Sequence, residues 1–285
     1  MKLRLPLNRC IGVGLVALGA GLTCEAAEQL SGQGQDRVEA VHRARVALKR
    51  VRSILRLLEK AGAAWAIMPR YRLAQLAGRM AAVRDAAVVA DLGRKLARGL
   101  SGPERAVAHQ LAAKKGRLTL LDAKRIRQAL LREARELAAA PVPVISPVQL
   151  RGLLRRSLGR TASRFRRAAG NPMAECVHEW RKAVIVLRDQ TALAARHWPQ
   201  GAGAANPLLA RLARQLGRRG DLVLLVGRLQ RGRVTPALKF PRRSLIARLR
   251  EQCEDETWTA LLRWPRLERR LTRLLAENDP GRRPS

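Results

Sequence analysis

The feature that most constrains this chain is a short basic signature written twice. Val41-His42-Arg43-Ala44-Arg45 returns as Val177-His178-Glu179-Trp180-Arg181, so each copy holds a His and an Arg three residues apart. Each His is followed 43 residues later by an Asp, Asp85 in one copy and Asp221 in the other. Two matches held at one separation point to an internal duplication with an offset of 136 residues. A duplicated chain is expected to fold as two related halves, and 285 residues suffice for two domains of ordinary size.

The stretch Pro141-Val142-Pro143-Val144-Ile145-Ser146-Pro147 lies between the copies. Its three prolines exclude helix and favour an extended linker. Elsewhere Ala, Leu and Arg dominate, and no segment alternates Val, Ile and Thr as strands do. The fold class expected is all-α. Helices are placed at about 10–30, 37–61, 69–99 and 104–139, then 148–168, 173–198, 205–231 and 242–277, with Pro265 expected to kink the last. Four helices per half imply two tandem four-helix bundles related by a pseudo-twofold: residues 1–140, a linker at 141–147, and residues 148–285.

At the N-terminus, Lys2, Arg4 and Arg9 precede an apolar run from Cys10 to Cys24, and Glu25-Ala26-Ala27 resembles a cleavage site. The run reads as too short to span a membrane. The repeat offset sets residues 10–30 against 146–166, which open the second half as a helix, so residues 1–26 are expected to be kept. Export through a signal-like segment is the alternative. Cys10, Cys24, Cys176 and Cys253 form no C-x-x-C pair, so neither a disulfide framework nor a structural metal is expected, and the location expected is cytoplasmic.

With 57 Lys and Arg against 22 Asp and Glu, the formal charge of +35 exceeds what solubility needs. A polyanionic partner follows: nucleic acid, anionic lipid or inorganic polyphosphate. Aromatic residues make up only 3% of the chain, few for a protein that stacks bases among its basic residues.

Helical phase gives the signature a shape. With His42 at zero, Arg45, Lys49, Arg52 and Arg56 fall at about 300°, 340°, 280° and 320°, while Ala44, Ala47, Val51, Ile54, Leu55 and Leu58 spread around 180°. One side is core and the other a cationic ridge suited to phosphate oxygens. The second copy puts His178, Arg181 and Arg188 on one side with Lys182 at the edge, and Trp180, Ala183, Val184 and Leu187 towards the core. There Ile185 replaces the counterpart of Lys49, so the second ridge is thinner. Arg156, Arg160, Arg164 and Arg167 repeat at similar spacing and would widen the surface. Arg84-Asp85 and Gly220-Asp221 recur, with each Asp placed to orient or partly neutralise an Arg of the adjacent helix.

Catalytic motifs are missing. His178-Glu179-Trp180-Arg181-Lys182 begins like a zinc-protease helix but ends in Lys where His is required, and Gly12-Val13-Gly14 follows no strand. No P-loop, nucleophile elbow or carboxylate cluster for Mg²⁺ occurs, so no catalytic residue, metal or cofactor is assigned.

The run Val41-His42-Arg43-Ala44-Arg45-Val46-Ala47-Leu48-Lys49-Arg50-Val51-Arg52 resembles the CHAD domain, the conserved histidine α-helical domain. His178-Glu179-Trp180-Arg181-Lys182 with Arg188 looks like its weaker second copy, and Val83-Arg84-Asp85 and Gly220-Asp221-Leu222 resemble its recurring Asp positions. The resemblance implies paired four-helix bundles whose basic helices face a shared groove that binds inorganic polyphosphate, in proteins associated with polyphosphate granules. Some relatives carry a CYTH triphosphatase-type domain; this chain has no Glu-x-Glu-x-Lys signature and resembles a standalone module. Ile185 and Val186 depart from the family's basic pattern. The expected function is non-catalytic polyphosphate binding through His42, Arg45, Lys49, Arg52, Arg56, His178, Arg181, Lys182 and Arg188. Its rivals are nucleic-acid binding through the phosphate backbone and a weak or accessory hydrolase of polyphosphate or triphosphate.

Overall fold

A computed structural model describes residues 3, 5, 10–31, 37–112, 118–232 and 236–276. Among these residues there are ten α-helices and no strand. They are α1 (Ile11–Gln29), α2 (Arg37–Lys60), α3 (Ile67–Arg79), α4 (Ala81–Arg98), α5 (Gly102–Ala112), α6 (Leu120–Ala138), α7 (Pro147–Gly170), α8 (Ala174–Ala194), α9 (Ala204–Arg231) and α10 (Lys239–Ala276).

Two helices expected in the first half are each divided. The segment expected at 69–99 breaks at Met80, two residues after Gly78, and there Arg45 donates to the Ala77 carbonyl that a continuous helix would offer to residue 81. Met80 itself is fully buried. The segment expected at 104–139 ends as α5 and restarts as α6, where Thr119 accepts from the Asp122 N–H at 3.0 Å. Thr119-x-x-Asp122 is an N-cap signal that the Ala and Leu content of the surrounding sequence obscured. In contrast, α10 runs through Pro265 unbroken. The lost backbone donor is tolerated because Leu261, Trp264, Leu271 and Leu275 anchor both sides of it in the core.

The Pro-rich stretch is extended from 141 to 146, and Pro147 opens α7 at a position where its missing N–H costs nothing. Ser146 and Gln149 complete a capping box there, with bonds of 3.1 and 2.8 Å. The linker lies on α1, since a β-carbon at Gly12 would run into the Pro143 carbonyl. Trp65 holds it by donating to the Pro141 carbonyl at 3.2 Å.

Helix α1 packs on α2 and α6, and α7 packs on α8 and α10. By length and composition α1 could cross a membrane, contrary to the expectation that its run is too short; here Leu15, Leu22, Ala26 and Ala27 are fully buried. Helix α2 buries Val41, Ala44, Ala47, Leu48, Val51, Ile54, Leu55 and Leu58, the face that helical phase predicts. Each such Leu or Ile contributes roughly 1.5–3 kcal/mol. Gly62, at φ +100°, ends α2 by letting the Ala63 N–H reach back to the Leu58 carbonyl at 2.9 Å. In the second half Phe165, Trp180 and Trp264 form an aromatic cluster with centroids 5.4–5.8 Å apart.

The apolar residues do not sort by sequence half. One large cluster draws on both halves, and a second joins Val89, Ala97 and Val107 to Leu225, Leu229, Leu245 and Leu249. Helix α2 meets α8 and α4 meets α9 across the middle of the molecule. Where α2 and α8 meet, Ser53 donates to the buried Asp189 carboxylate at 3.2 Å.

A cationic groove between α2, α4, α8 and α9

Those two meetings leave a groove of about 680 Å³ walled by α2, α4, α8 and α9. Helix α2 lines it with Arg45, Lys49, Arg52 and Arg56, one turn apart on the face opposite its core residues, as 3.6-residue spacing requires. Helix α4 adds Arg84 and Asp85, α8 adds His178, Arg181 and Lys182, and α9 adds Arg219 and Gly220. Eight Lys and Arg side chains therefore face two carboxylates, Asp85 and Glu175.

Seven of the nine residues expected in the site line this groove: Arg45, Lys49, Arg52, Arg56, His178, Arg181 and Lys182. His42 does not; it sits exposed at the start of α2, a full turn outside the groove. Arg188 also lies outside the lining, because its guanidinium is bound to Asp189 at 2.6 Å. Lys182 is within the lining but pairs with Glu179 at 2.6 Å. The arginines of α7, Arg156, Arg160, Arg164 and Arg167, are exposed and do not line it.

Arg84 and Arg219 were not anticipated as site residues. Arg84 donates to Asp85 at 3.1 Å and across the molecule to Asp221 at 3.3 Å, which brings it between the two basic helices. Arg219 is buried and held by Thr257 at 3.2 Å and the Ala174 carbonyl at 3.3 Å. The pairing of α4 with α9 assembles this part of the site; each of the two arginines stands beside a recurring position, Arg84 before Asp85 and Arg219 before Gly220-Asp221. The recurring Asp residues behave as expected: Asp85 is the carboxylate facing Arg45, and Asp221 the one facing Arg181.

Crowded cations set the electrostatics. Burial lowers the pKa of Arg45, Arg52, Arg56 and Arg181, with neighbouring guanidiniums adding to the effect, and all four stay charged. The Lys49 ammonium is pushed down to about 8, first by desolvation and then by Arg84, Arg45, Arg181 and Arg188. Because Lys49 still reaches water, the like-charge repulsion is the part that a bound anion would reverse. Burial also lowers the His178 pKa, and Lys182 adds to the shift.

Two of the lining arginines also carry buried donors. The Nε–H groups of Arg52 and Arg181 are inaccessible to water and have no hydrogen-bond partner among the described residues. A buried unpaired donor costs about 1–3 kcal/mol, more when charged, unless a ligand accepts from it. Ile185, Val186, Val223 and Leu224 give the α8 and α9 wall an apolar strip, so the departure at Ile185 is part of the groove surface.

Fold and site together define an all-helical protein with a cationic groove between its two basic helices. The chain belongs to the CHAD domain family, whose model matches residues 23–230. That match takes in every helix that lines the groove and ends before α10. The family is linked to polyphosphate and triphosphate. No curated protein matches the chain.

Proposed function

We propose that this protein binds inorganic polyphosphate in the groove, without catalysing its turnover, and that it does so at polyphosphate granules in the cytoplasm. The observation that carries this reading is the convergence of eight Lys and Arg side chains from four helices on one groove that holds only two carboxylates. A linear chain of phosphates offers acceptors at every unit, and the Arg fork matches phosphate oxygens. The two halves fit a duplication with pseudo-twofold symmetry: α1 pairs with α2 as α7 does with α8, and Asp85 faces Arg45 as Asp221 faces Arg181.

Binding to immobilised polyphosphate, with duplex DNA as competitor at matched phosphate concentration, tests the reading. Affinity is expected to fall steeply with salt and to drop at least tenfold in Arg52→Ala plus Arg181→Ala. Unchanged binding by that variant, or preference for DNA, would overturn it. Release of orthophosphate with Mg²⁺ would replace it with the hydrolase alternative.

A further inference from the structure

The cationic groove does not end at Arg219. Beyond that residue a second cavity of about 750 Å³ shares Ala174, Arg219, Val223 and Leu224 with the groove and has a different chemistry. Its walls carry Met173 and Trp258, 61% and 54% exposed, opposite the apolar edge of α9. Trp180, Trp198 and Trp264 are buried in the core, so an indole left open to solvent beside a phosphate-receptive groove stands apart from them. Arg250 and Arg231 bring positive charge to the rim, and Glu254, one turn before Trp258 on α10, adds an acceptor.

A linear polyphosphate has no apolar part and gains nothing from Trp258, Met173, Val223 or Leu224. A phosphate chain that ends in a planar ring uses both cavities. We propose that the joined cavities form a site for a nucleoside triphosphate, its phosphates in the cationic groove and its base on Trp258. Arg219 stands at the junction, fixed by Thr257 and the Ala174 carbonyl, where the sugar-proximal phosphate would pass. Guanine suits the ring end best, since its N1–H and N2–H₂ donate side by side and Glu254 offers a carboxylate. The inference rests on the groove being a phosphate site, and its test separates the two ideas.

The experiment compares GTP with inorganic tripolyphosphate by calorimetry, using the full chain without Mg²⁺. GTP carries less charge, so a tighter fit has to come from the nucleoside. GTP is expected to bind roughly tenfold or more tightly than tripolyphosphate, in line with the strength of base stacking on an aromatic residue. Trp258→Ala is expected to remove that gap while leaving tripolyphosphate affinity unchanged, and Trp258→Phe to restore most of it. Equal affinities, or a gap that survives in Trp258→Ala, would overturn the nucleotide site and leave the groove standing. Failure of tripolyphosphate itself to bind would instead remove the groove reading on which this one rests.

Discussion

Arg181 lies across Gly220, and its guanidinium fills the space that a β-carbon on residue 220 would need. The 136-residue offset between the two His-x-x-Arg signatures pairs position 220 with Arg84, so one position supplies a guanidinium and the other receives one. Gly220 thus permits a long side chain from α8 to lie against α9 within the lining of the groove.

Gly220→Ala is expected to separate folding from binding. The clash falls on the flexible end of Arg181, and Ala favours a helix interior over Gly by about 1 kcal/mol, so the melting temperature should hold or rise. Polyphosphate affinity should fall by roughly tenfold, the worth of one hydrogen bond to a charged group. Thermal melts alongside a binding titration would show whether the two properties part.

Lys49 is expected to couple binding to pH. With its pKa near 8 in the free protein, it loses charge as pH rises through that value, and a bound polyanion raises the pKa again. Affinity should therefore weaken from pH 7 to pH 9, with proton uptake on binding near pH 8, measurable by calorimetry in buffers of different ionisation enthalpy. Lys49→Arg should flatten that response. For folding the sign is opposite: the unfolded chain holds this proton up to about 10.4, so between pH 8 and that value the contribution of Lys49 to stability rises with pH. Lys49→Met should accordingly raise the melting temperature at pH 7 while weakening binding.

His42→Ala is expected to leave polyphosphate affinity unchanged within about twofold, because His42 is exposed and outside the groove. His178→Ala should weaken binding, since His178 lines it. Parallel titrations of the two variants would reveal whether the twice-written histidines have become unequal.

Two buried residues are expected to matter for stability alone. Asp189→Ala strips the partner from both Ser53 and Arg188 at the meeting of α2 and α8, and should cost about 2 kcal/mol. Trp264→Ala opens the aromatic cluster that joins α10 to α7 and α8, and should cost roughly 3–5 kcal/mol. Chemical denaturation with the midpoint and slope recorded would measure both.

Local, periodic properties were legible in the sequence. The all-α class, the buried face of α2, the linker and the line of Arg45, Lys49, Arg52 and Arg56 all follow from a 3.6-residue period and from proline chemistry, which act within a few residues. Helix joints were less legible: at the break at Met80 the local signal of Gly78 is joined by Arg45, which captures a carbonyl from another helix, and α10 continues through Pro265 because of what packs beside it. Part of the site was decided by tertiary structure alone. Arg84 and Arg219 join the groove because α4 meets α9, whereas the pairing of Arg188 with its own neighbour Asp189 is local. A sequence repeat specifies which side of a helix is charged. Which of those charges converge depends on the crossing of helices far apart in the chain, and no local period encodes it.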